Sequence, residues 1–434
     1  MKRHKIQNLI AWKSNRKRKP LIIRGARQVG KTWLMKEFGR LHYENVAYFN
    51  FEKSKRLKDI FSGDFIVEQL ITALQIESGE KIQPEKTLII FDEIQEVPDA
   101  ITSLKYFHED ANQYHIVSAG SLLGIALHAD LSFPVGKVDF MDLHPMGFPE
   151  FLEAIGDESL VDLINKRDWK LITTFKSRFI ERLRQYYFIG GMPEVVDFFV
   201  NEPDFTGVRK IQNQILNAYD LDFSKHAPKS IVPRIRMVWN SIPSQLAKEN
   251  RKFIYGQIRE GARAKDYEQA INWLVDCGQV YKVNKVTRPG MPVKAYEDLN
   301  AFKLFFVDVG LLAAITSIDE KSILDGNRIF TEFKGALTEQ YVLQQLLISG
   351  EYFVKYWSAE RSRSEVDFII QFRNHIYPLE VKAEENLRSK SLRVFHEKFS
   401  PELSVRASMS DFRQQDWMTN LPLYAISQLD SLFN

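Results

Sequence analysis

From Lys19 to about Pro203, short apolar runs alternate with segments whose apolar residues recur at helical spacing. The runs at residues 21–25 (LIIRG), 46–52 (VAYFNFE), 87–93 (TLIIFDE) and 114–120 (YHIVSAG) predict buried strands, and residues 65–74 predict a helix between two of them. Buried apolar strands separated by helices imply a parallel α/β sheet. Past Pro203 the pattern changes. Residues 231–249 and 267–275 read as helices, and 279–286 alternates like a strand that turns at Pro289-Gly290. Helices followed by a hairpin predict a winged helix. After a polar stretch at 317–327, a helix at 333–347 precedes strands at 353–358, 365–372 and 376–382. The expected organisation is an α/β domain over 1–204 that begins with a basic segment (1–20), a helical and winged-helix-like region over 205–325, and a second α/β domain over 326–434.

A length of 434 residues suits two to four domains, and 44% hydrophobic with 26% charged residues is an ordinary globular composition. The net charge of +3 selects no partner. Its placement is more informative. Residues 1–20 hold Lys2, Arg3, Lys5, Lys13, Arg16, Lys17, Arg18 and Lys19 and no acid, which reads either as a phosphate-contacting arm or as a solvated helix. The single cysteine, Cys277, excludes an intrachain disulfide and a cysteine zinc cluster, and fits a reducing compartment. No apolar run reaches the ~18 residues of a membrane span, and no apolar stretch follows the basic N-terminus. The expectation is a cytoplasmic protein without a membrane partner. The histidines show no close ligand spacing, and no serine or cysteine nucleophile motif is present.

The strongest chemical motif is Gly25-Ala26-Arg27-Gln28-Val29-Gly30-Lys31-Thr32, a full G-x-x-x-x-G-K-[ST] between a predicted strand and a predicted helix. The glycines let backbone N–H groups curl round phosphates, and the helix N-terminus adds a favourable dipole. Lys31 would reach the β- and γ-phosphates in binding and catalysis, and Thr32 would ligate Mg²⁺. A strand–turn–helix without a ligand can carry the same pattern. The second half of the site decides between them, because the strand at 87–90 ends in Phe91-Asp92-Glu93. Asp92 would hold Mg²⁺ through water and Glu93 would polarise the attacking water. Paired acids at a strand end can be solvated turn residues, but both motifs in order on one sheet predict ATP-Mg²⁺ binding. On the next strand Ser121 is the candidate sensor of the γ-phosphate, with Ser118 in reserve.

The last domain carries Asp367 on one strand and Glu380-Val381-Lys382 on the next, the core of the PD-(D/E)xK nucleases. Residues i and i+2 of a strand share a face, so Glu380 and Lys382 emerge together and Asp367 can face them. Two carboxylates can hold a second divalent metal, Mg²⁺ or Mn²⁺, and the lysine can orient or deprotonate a water. Glu339, on the preceding helix, matches the acidic helix residue of such nucleases. Charged residues on an edge strand can equally serve to deter edge pairing. In the middle region Lys252, Arg259, Arg263 and Lys265 precede the helix at 267–275, and Lys282, Lys285 and Arg288 lie on the expected wing. They suit phosphate contacts, although many winged helices are interdomain adaptors.

In combination, RGARQVGKTWL (24–34), IIFDEIQ (89–95), SAGSLLG (118–124), LHPMGFPEFL (143–152) and YFIGGMPEVV (187–196) resemble the AAA-type ATPases of bacteria and archaea that carry a C-terminal domain of unknown function. FKLFFVDVGLL (302–312), EVDFII (365–370), LEVKA (379–383) and LPLYAI (421–426) extend the resemblance to nearly the whole chain. Taken with the motifs above, the expected function is that of an ATPase whose ATP binding and hydrolysis regulate a C-terminal nuclease-like domain acting on DNA. The alternative is a nucleotide-dependent switch that binds DNA or a protein partner without cutting. The resemblance leaves an oligomer open, since AAA-type relatives often form rings. The family usually has Thr-Gly-Ser where this chain has Ala119-Gly120-Ser121, and Gly-Arg where it has Gly136-Lys137. Lysine does not reproduce the forked grip of arginine on phosphate, so no arginine finger is assigned.

Overall fold

The computed structural model describes residues 1–120, 124, 133–248, 252–320, 331–350, 352–359, 364–385 and 389–433. They form two compact units. One comprises Lys2–His144 with Asp276–Gln279, and the other comprises Met1, Pro145–Val275 and Val280–Asn434.

In the first unit, β1 (Leu21–Arg24), β2 (Asn45–Asn50), β3 (Thr87–Asp92), β4 (His115–Ala119) and β5 (Asp139–Asp142) make a five-stranded sheet in the order β2-β3-β4-β1-β5. All its pairings are parallel. The expected parallel sheet is therefore present, with β5 as an edge strand that the apolar pattern does not announce. β5 alternates between partly buried and exposed residues, whereas β3 and β4 are buried throughout. The register aligns Asn50, Asp92, Ala119 and Ile23 across β2, β3, β4 and β1. The chain thus leaves β1 and β3 at one common edge of the sheet. Phe91 anchors the end of β3 in an aromatic cluster, with ring centroids 5.3 Å from Phe51, 5.7 Å from Phe61 and 5.9 Å from Phe49. Burial of such a ring stabilises by about 2–3 kcal/mol, and here it fixes the residue beside Asp92.

The second unit combines helices with an eight-stranded mixed sheet. Its strands are β6 (Val280–Val286), β7 (Glu297–Phe306), β8 (Phe353–Ser358), β9 (Glu365–Phe372), β10 (His375–Val381), β11 (Ser404–Ser408), β12 (Arg413–Gln414) and β13 (Met418–Pro422). Their order is β12-β13-β11-β10-β9-β8-β6-β7. The hairpin expected as a wing is β6–β7. It does not stand apart, because Lys285 and Val286 of β6 pair in parallel with Tyr356 and Trp357 of β8, so the hairpin continues the C-terminal sheet.

The segments at 187–196 and 302–312 meet at one buried carboxylate, and the segment at 143–152 joins them through Met146, whose amide donates to Gly191 O at 2.7 Å. Asp308 caps the helix Val309–Ile315 by accepting from Leu311 N at 3.1 Å. It also accepts from Gly191 N at 2.7 Å and Gln344 Nε2 at 3.1 Å. Tyr186 donates to Met146 O at 2.5 Å and accepts from Gln344 Nε2 at 3.0 Å. Gly190, at φ 77°, has the Asp308 carboxylate 2.1 Å from where a Cβ would stand, which explains the glycine there. These segments serve packing and polar satisfaction in the core.

Candidate functional site

The loop after β1 has the geometry of a phosphate cradle. Gly25 sits at φ 148°, and the Leu143 carbonyl oxygen lies 2.2 Å from where its Cβ would be, so any side chain would collide with backbone. Gln28 at φ 66° and Gly30 at φ 92° turn the chain into the helix Lys31–His42. A left-handed glutamine costs of order 1 kcal/mol, which the surrounding fold must offset. Ala26 and Val29 are buried against the core, while Arg27 and Gln28 face outward. Lys31 is 6% exposed and donates to the Gly25 and Ala26 carbonyls at 2.9 and 2.8 Å. Burial pushes its ammonium down to about 8, against the charges of Glu93 and then Asp92, with Arg27 adding to the lowering.

Asp92 is 3% exposed at the end of β3. Thr32 Oγ1 donates to its Oδ2 at 2.9 Å, and the Tyr48 hydroxyl donates to the same oxygen at 2.7 Å. Threonine and aspartate, the two residues expected to hold Mg²⁺, are thus in direct contact. Their oxygens suit a hard cation. Tyr48 was not foreseen. Its signal lies in the alternation of β2, which puts Tyr48 and Asn50 on one face, with Asn50 opposite Asp92. Burial, more than the neighbouring carboxylates, pushes the Tyr48 phenol up to about 12. Lys36 Nζ covers its ring at 3.7 Å.

Glu93 follows in the left-handed region at φ 52°, and Gln95 Nε2 donates to its Oε2 at 2.7 Å. A non-glycine residue held there marks a position whose orientation the fold imposes. Ser121 lies outside the described residues. Its reserve, Ser118, is fully buried in β4 between Ile22 and Phe91, and its Oγ has no hydrogen-bond partner. Lys137 pairs with Glu109 at 2.9 Å.

Much of the basic N-terminal segment is committed within its own unit. Arg3 is 5% exposed and donates through Nη1 to Val29 O of the loop at 2.8 Å and through Nη2 to His144 O at 2.7 Å. Lys13 donates to His42 O, Arg18 to Asn112 O at 3.1 Å and Lys19 to Gly136 O at 2.7 Å. The reading of the whole segment as a phosphate-contacting arm is corrected for these four. Carbonyl groups that the fold must satisfy hold their cations.

In the second unit the carboxylates expected to bind metal come together, but cations already accompany them. Asp367 lies on β9 and accepts from Val381 N at 2.7 Å. Burial first, and then the charge of Glu339, hold its carboxyl well above the usual range. Glu380 is buried on β10 and pairs through Oε1 with Lys382 at 2.9 Å, while its Oε2 has no partner. Lys303 of β7, absent from the expected set, places Nζ 2.5 Å from Glu365 and 3.5 Å from Glu339. Burial works against the charge of Lys303, but Glu339, Glu365 and Asp367 together raise its pKa above the ordinary value. The sequence signal was a lone lysine in the apolar run Ala301-Phe302-Lys303-Leu304-Phe305. The expected second metal on Glu339, Asp367 and Glu380 does not fit this arrangement. Among the described residues no three histidine, cysteine, aspartate or glutamate side chains form a group that could hold a metal ion.

The basic residues of the hairpin are partly engaged as well. Lys282 Nζ lies over the Phe302 ring at 4.4 Å, and Arg288 stacks on Tyr296 at 4.3 Å and donates to its hydroxyl at 2.9 Å. Among the described residues no helix is long and apolar enough to cross a membrane.

Residues 17–152 match the family profile of an AAA domain (AAA_14). Residues 180–322 and 334–426 match profiles of two domains of unknown function, DUF8612 and DUF4143. No curated protein matches the chain. Among solved structures, the Walker-type ATPase PABY2304 of Pyrococcus abyssi is 14% identical, with a TM-score of 0.46, over 72% of this chain and 94% of that one. The Aeropyrum pernix ORC1 protein, solved in complex with DNA, is 12% identical, with a TM-score of 0.28, over 73% and 93%. The Thermotoga maritima RuvB Holliday junction branch migration motor is 13% identical, with a TM-score of 0.28, over 65% and 89%. The site and the profile together define the N-terminal region as an ATP-binding P-loop domain of the AAA type. The C-terminal region has the profile of a domain whose function is unknown, on a mixed α/β sheet.

Proposed function

We propose that this chain is an ATP-Mg²⁺-dependent switch. Its N-terminal domain hydrolyses ATP, and the cycle changes how the remaining domains bind a DNA or protein partner, without cutting it. The observation that carries the proposal is the contact of Thr32 with Asp92 beside a lysine that donates to the Gly25 and Ala26 carbonyls of its own loop. Phosphate oxygens would replace the Gly25 and Ala26 carbonyls as acceptors for Lys31, and backbone N–H groups of residues 25–32 would line the phosphates. Bound Mg²⁺ would neutralise charge on the phosphates, with Thr32 and Asp92 as its protein-side oxygens. Glu93, oriented by Gln95, would accept the proton of the attacking water.

The test is ATP binding and phosphate release by the full chain. Lys31→Ala should abolish ATP binding. Glu93→Gln should bind ATP about as tightly as wild type and release phosphate at least ~100-fold more slowly. Wild-type ATP binding by Lys31→Ala would overturn the site assignment, and unchanged turnover by Glu93→Gln would overturn the role of that carboxylate.

A second reading, cleavage of DNA at Asp367, Glu380 and Lys382, starts from the adjacency of Asp367 to the Glu380–Lys382 pair and would require a metal that the present arrangement of lysines and carboxylates does not accommodate. Plasmid and single-stranded DNA, with Mg²⁺ or Mn²⁺ and with or without ATP, would report it. Cleavage lost in Asp367→Ala would replace the non-cutting reading. DNA contact by the middle region would be tested by charge reversal at Lys282 and Lys285, and an unchanged affinity and salt slope would exclude it.

A further inference from the structure

A turn from far along the chain rests on the phosphate loop. Residues Asp276–Gln279 belong to the first compact unit, whereas the chain on both sides of them, up to Val275 and from Val280, belongs to the second. Cys277 and Gln279 are buried. Gly278 lies in the left-handed region at φ 70°, and a Cβ there would stand 3.1 Å from Ala26 N and 3.5 Å from Gly25 C. Glycine therefore suits both the turn and the close approach. Asp276 O lies 2.1 Å from where a Cβ of Gly124 would stand, so the turn also meets the chain beyond β4. The atoms beneath Gly278 are ones that Lys31 holds. Gly25 C and Ala26 N are the two ends of one peptide bond, and the oxygen of that peptide accepts from Lys31 Nζ at 2.9 Å. The next carbonyl, Ala26 O, accepts from the same amine at 2.8 Å.

We infer that the turn Asp276–Gln279 is the element through which occupancy of the phosphate loop reaches the chain beyond the N-terminal domain. When Lys31 leaves the Gly25 and Ala26 carbonyls for phosphate oxygens, the Gly25–Ala26 peptide loses the ammonium that fixed its oxygen. A peptide unit is planar, so a tilt at its oxygen also moves its nitrogen. That nitrogen is what Gly278 rests on. The turn carries the displacement by covalent continuity into the helix Ala264–Asp276 on one side and β6 on the other. The inference rests on the reading of the loop as the ATP site of a switch and names how that site is coupled to the rest of the chain. Such coupling is reciprocal, so an altered turn must alter ATP affinity.

The experiment is hydrogen–deuterium exchange of the wild-type full chain in Mg²⁺, with and without a saturating non-hydrolysable ATP analogue. It is read at the loop 25–32, at the turn with β6 (276–286), and at β11 as reference. Exchange should change at the loop and at 276–286 and stay the same at β11. A change at the loop with none at 276–286 overturns the inference and leaves the ATP site standing. No change at any of the three removes the ATP site and the inference with it. Equal changes at 276–286 and β11 are general stabilisation by a bound ligand, and they also overturn the inference. Nucleotide-free Lys31→Met tests the coupling without ATP. Its turn should exchange about fivefold faster than in wild type while β11 is unchanged, as expected when a hydrogen-bond restraint is lost. An unchanged turn overturns the inference. Gly278→Ala should weaken ATP binding about fivefold or more, and wild-type affinity in that variant counts against the coupling. Should Gly278→Ala not fold, the wild-type arms need no variant.

Discussion

Thr32 Oγ1 and Asp92 Oδ2 lie 2.9 Å apart although sixty positions of sequence separate them. The contact joins the first turn of the helix after the phosphate loop to the end of β3. Tyr48 completes it from β2 by donating to the same aspartate oxygen.

Removing that phenol leaves Asp92 with one fewer donor to orient it. Tyr48→Phe is expected to weaken ATP binding in Mg²⁺ about fivefold, the equivalent of about 1 kcal/mol for one hydrogen bond. Binding measured in EDTA should hardly change. An equal loss in both conditions would show that Tyr48 supports the loop as a whole and not the metal-facing carboxylate.

Lys31 gives a pH dependence with a definite sign. Its folded pKa of about 8 lies below the ordinary lysine value of 10.5. Between these values the unfolded chain binds more protons at this site, so its contribution to stability rises with pH across that window. Below about pH 8 the burial penalty is present in full. Phosphates favour the ammonium, so ATP binding at pH 8 should take up about half a proton at this residue. Calorimetry in buffers of different ionisation enthalpy, wild type against Lys31→Arg, measures it. Equal uptake in the two would remove Lys31 as the source.

Arg3 supports the loop from outside by its bonds to Val29 O and His144 O. Arg3→Met keeps much of the apolar volume and deletes both donors. It should lower Tm, in line with about 1.5–3 kcal/mol for charge-assisted hydrogen bonds, and lower ATP affinity roughly 5- to 10-fold, the equivalent of about 1–1.4 kcal/mol. Lower Tm with unchanged affinity would confine Arg3 to a stabilising role.

Asp308 is fully buried and accepts from Gly191 N, Leu311 N and Gln344 Nε2, with the Gly310 amide also directed at it. Asp308→Ala strands the Gly191 and Leu311 amides and removes one of the two acceptors of Gln344 Nε2, and should destabilise the chain by about 3 kcal/mol or more in urea unfolding. Asp308→Asn keeps acceptors for some of these donors and should cost less. Equal loss in both would mean that charge, not acceptor number, is what the network needs.

The phosphate loop and its acidic partner were legible because their signals are local. A strand's apolar run, glycines at fixed offsets, and a lysine-threonine pair at a helix start are set by backbone geometry within a few residues. The parallel sheet of the first unit follows from the same short-range periodicity, and so does the approach of Asp367 to the Glu380–Lys382 strand, since adjacent hairpin strands leave little choice. Only the tertiary structure decided which charges meet across distant elements. That Tyr48 reaches Asp92, that Arg3 is spent on Val29 O, and that Lys303 sits among Glu339 and Glu365 all depend on sheet order and strand register. The hairpin at β6–β7 was visible as a hairpin, but its place beside β8 was not. A side chain's charge is written in the sequence. What balances it is set by the neighbours that burial forces upon it, because a buried ion without a partner costs more than the fold can bear.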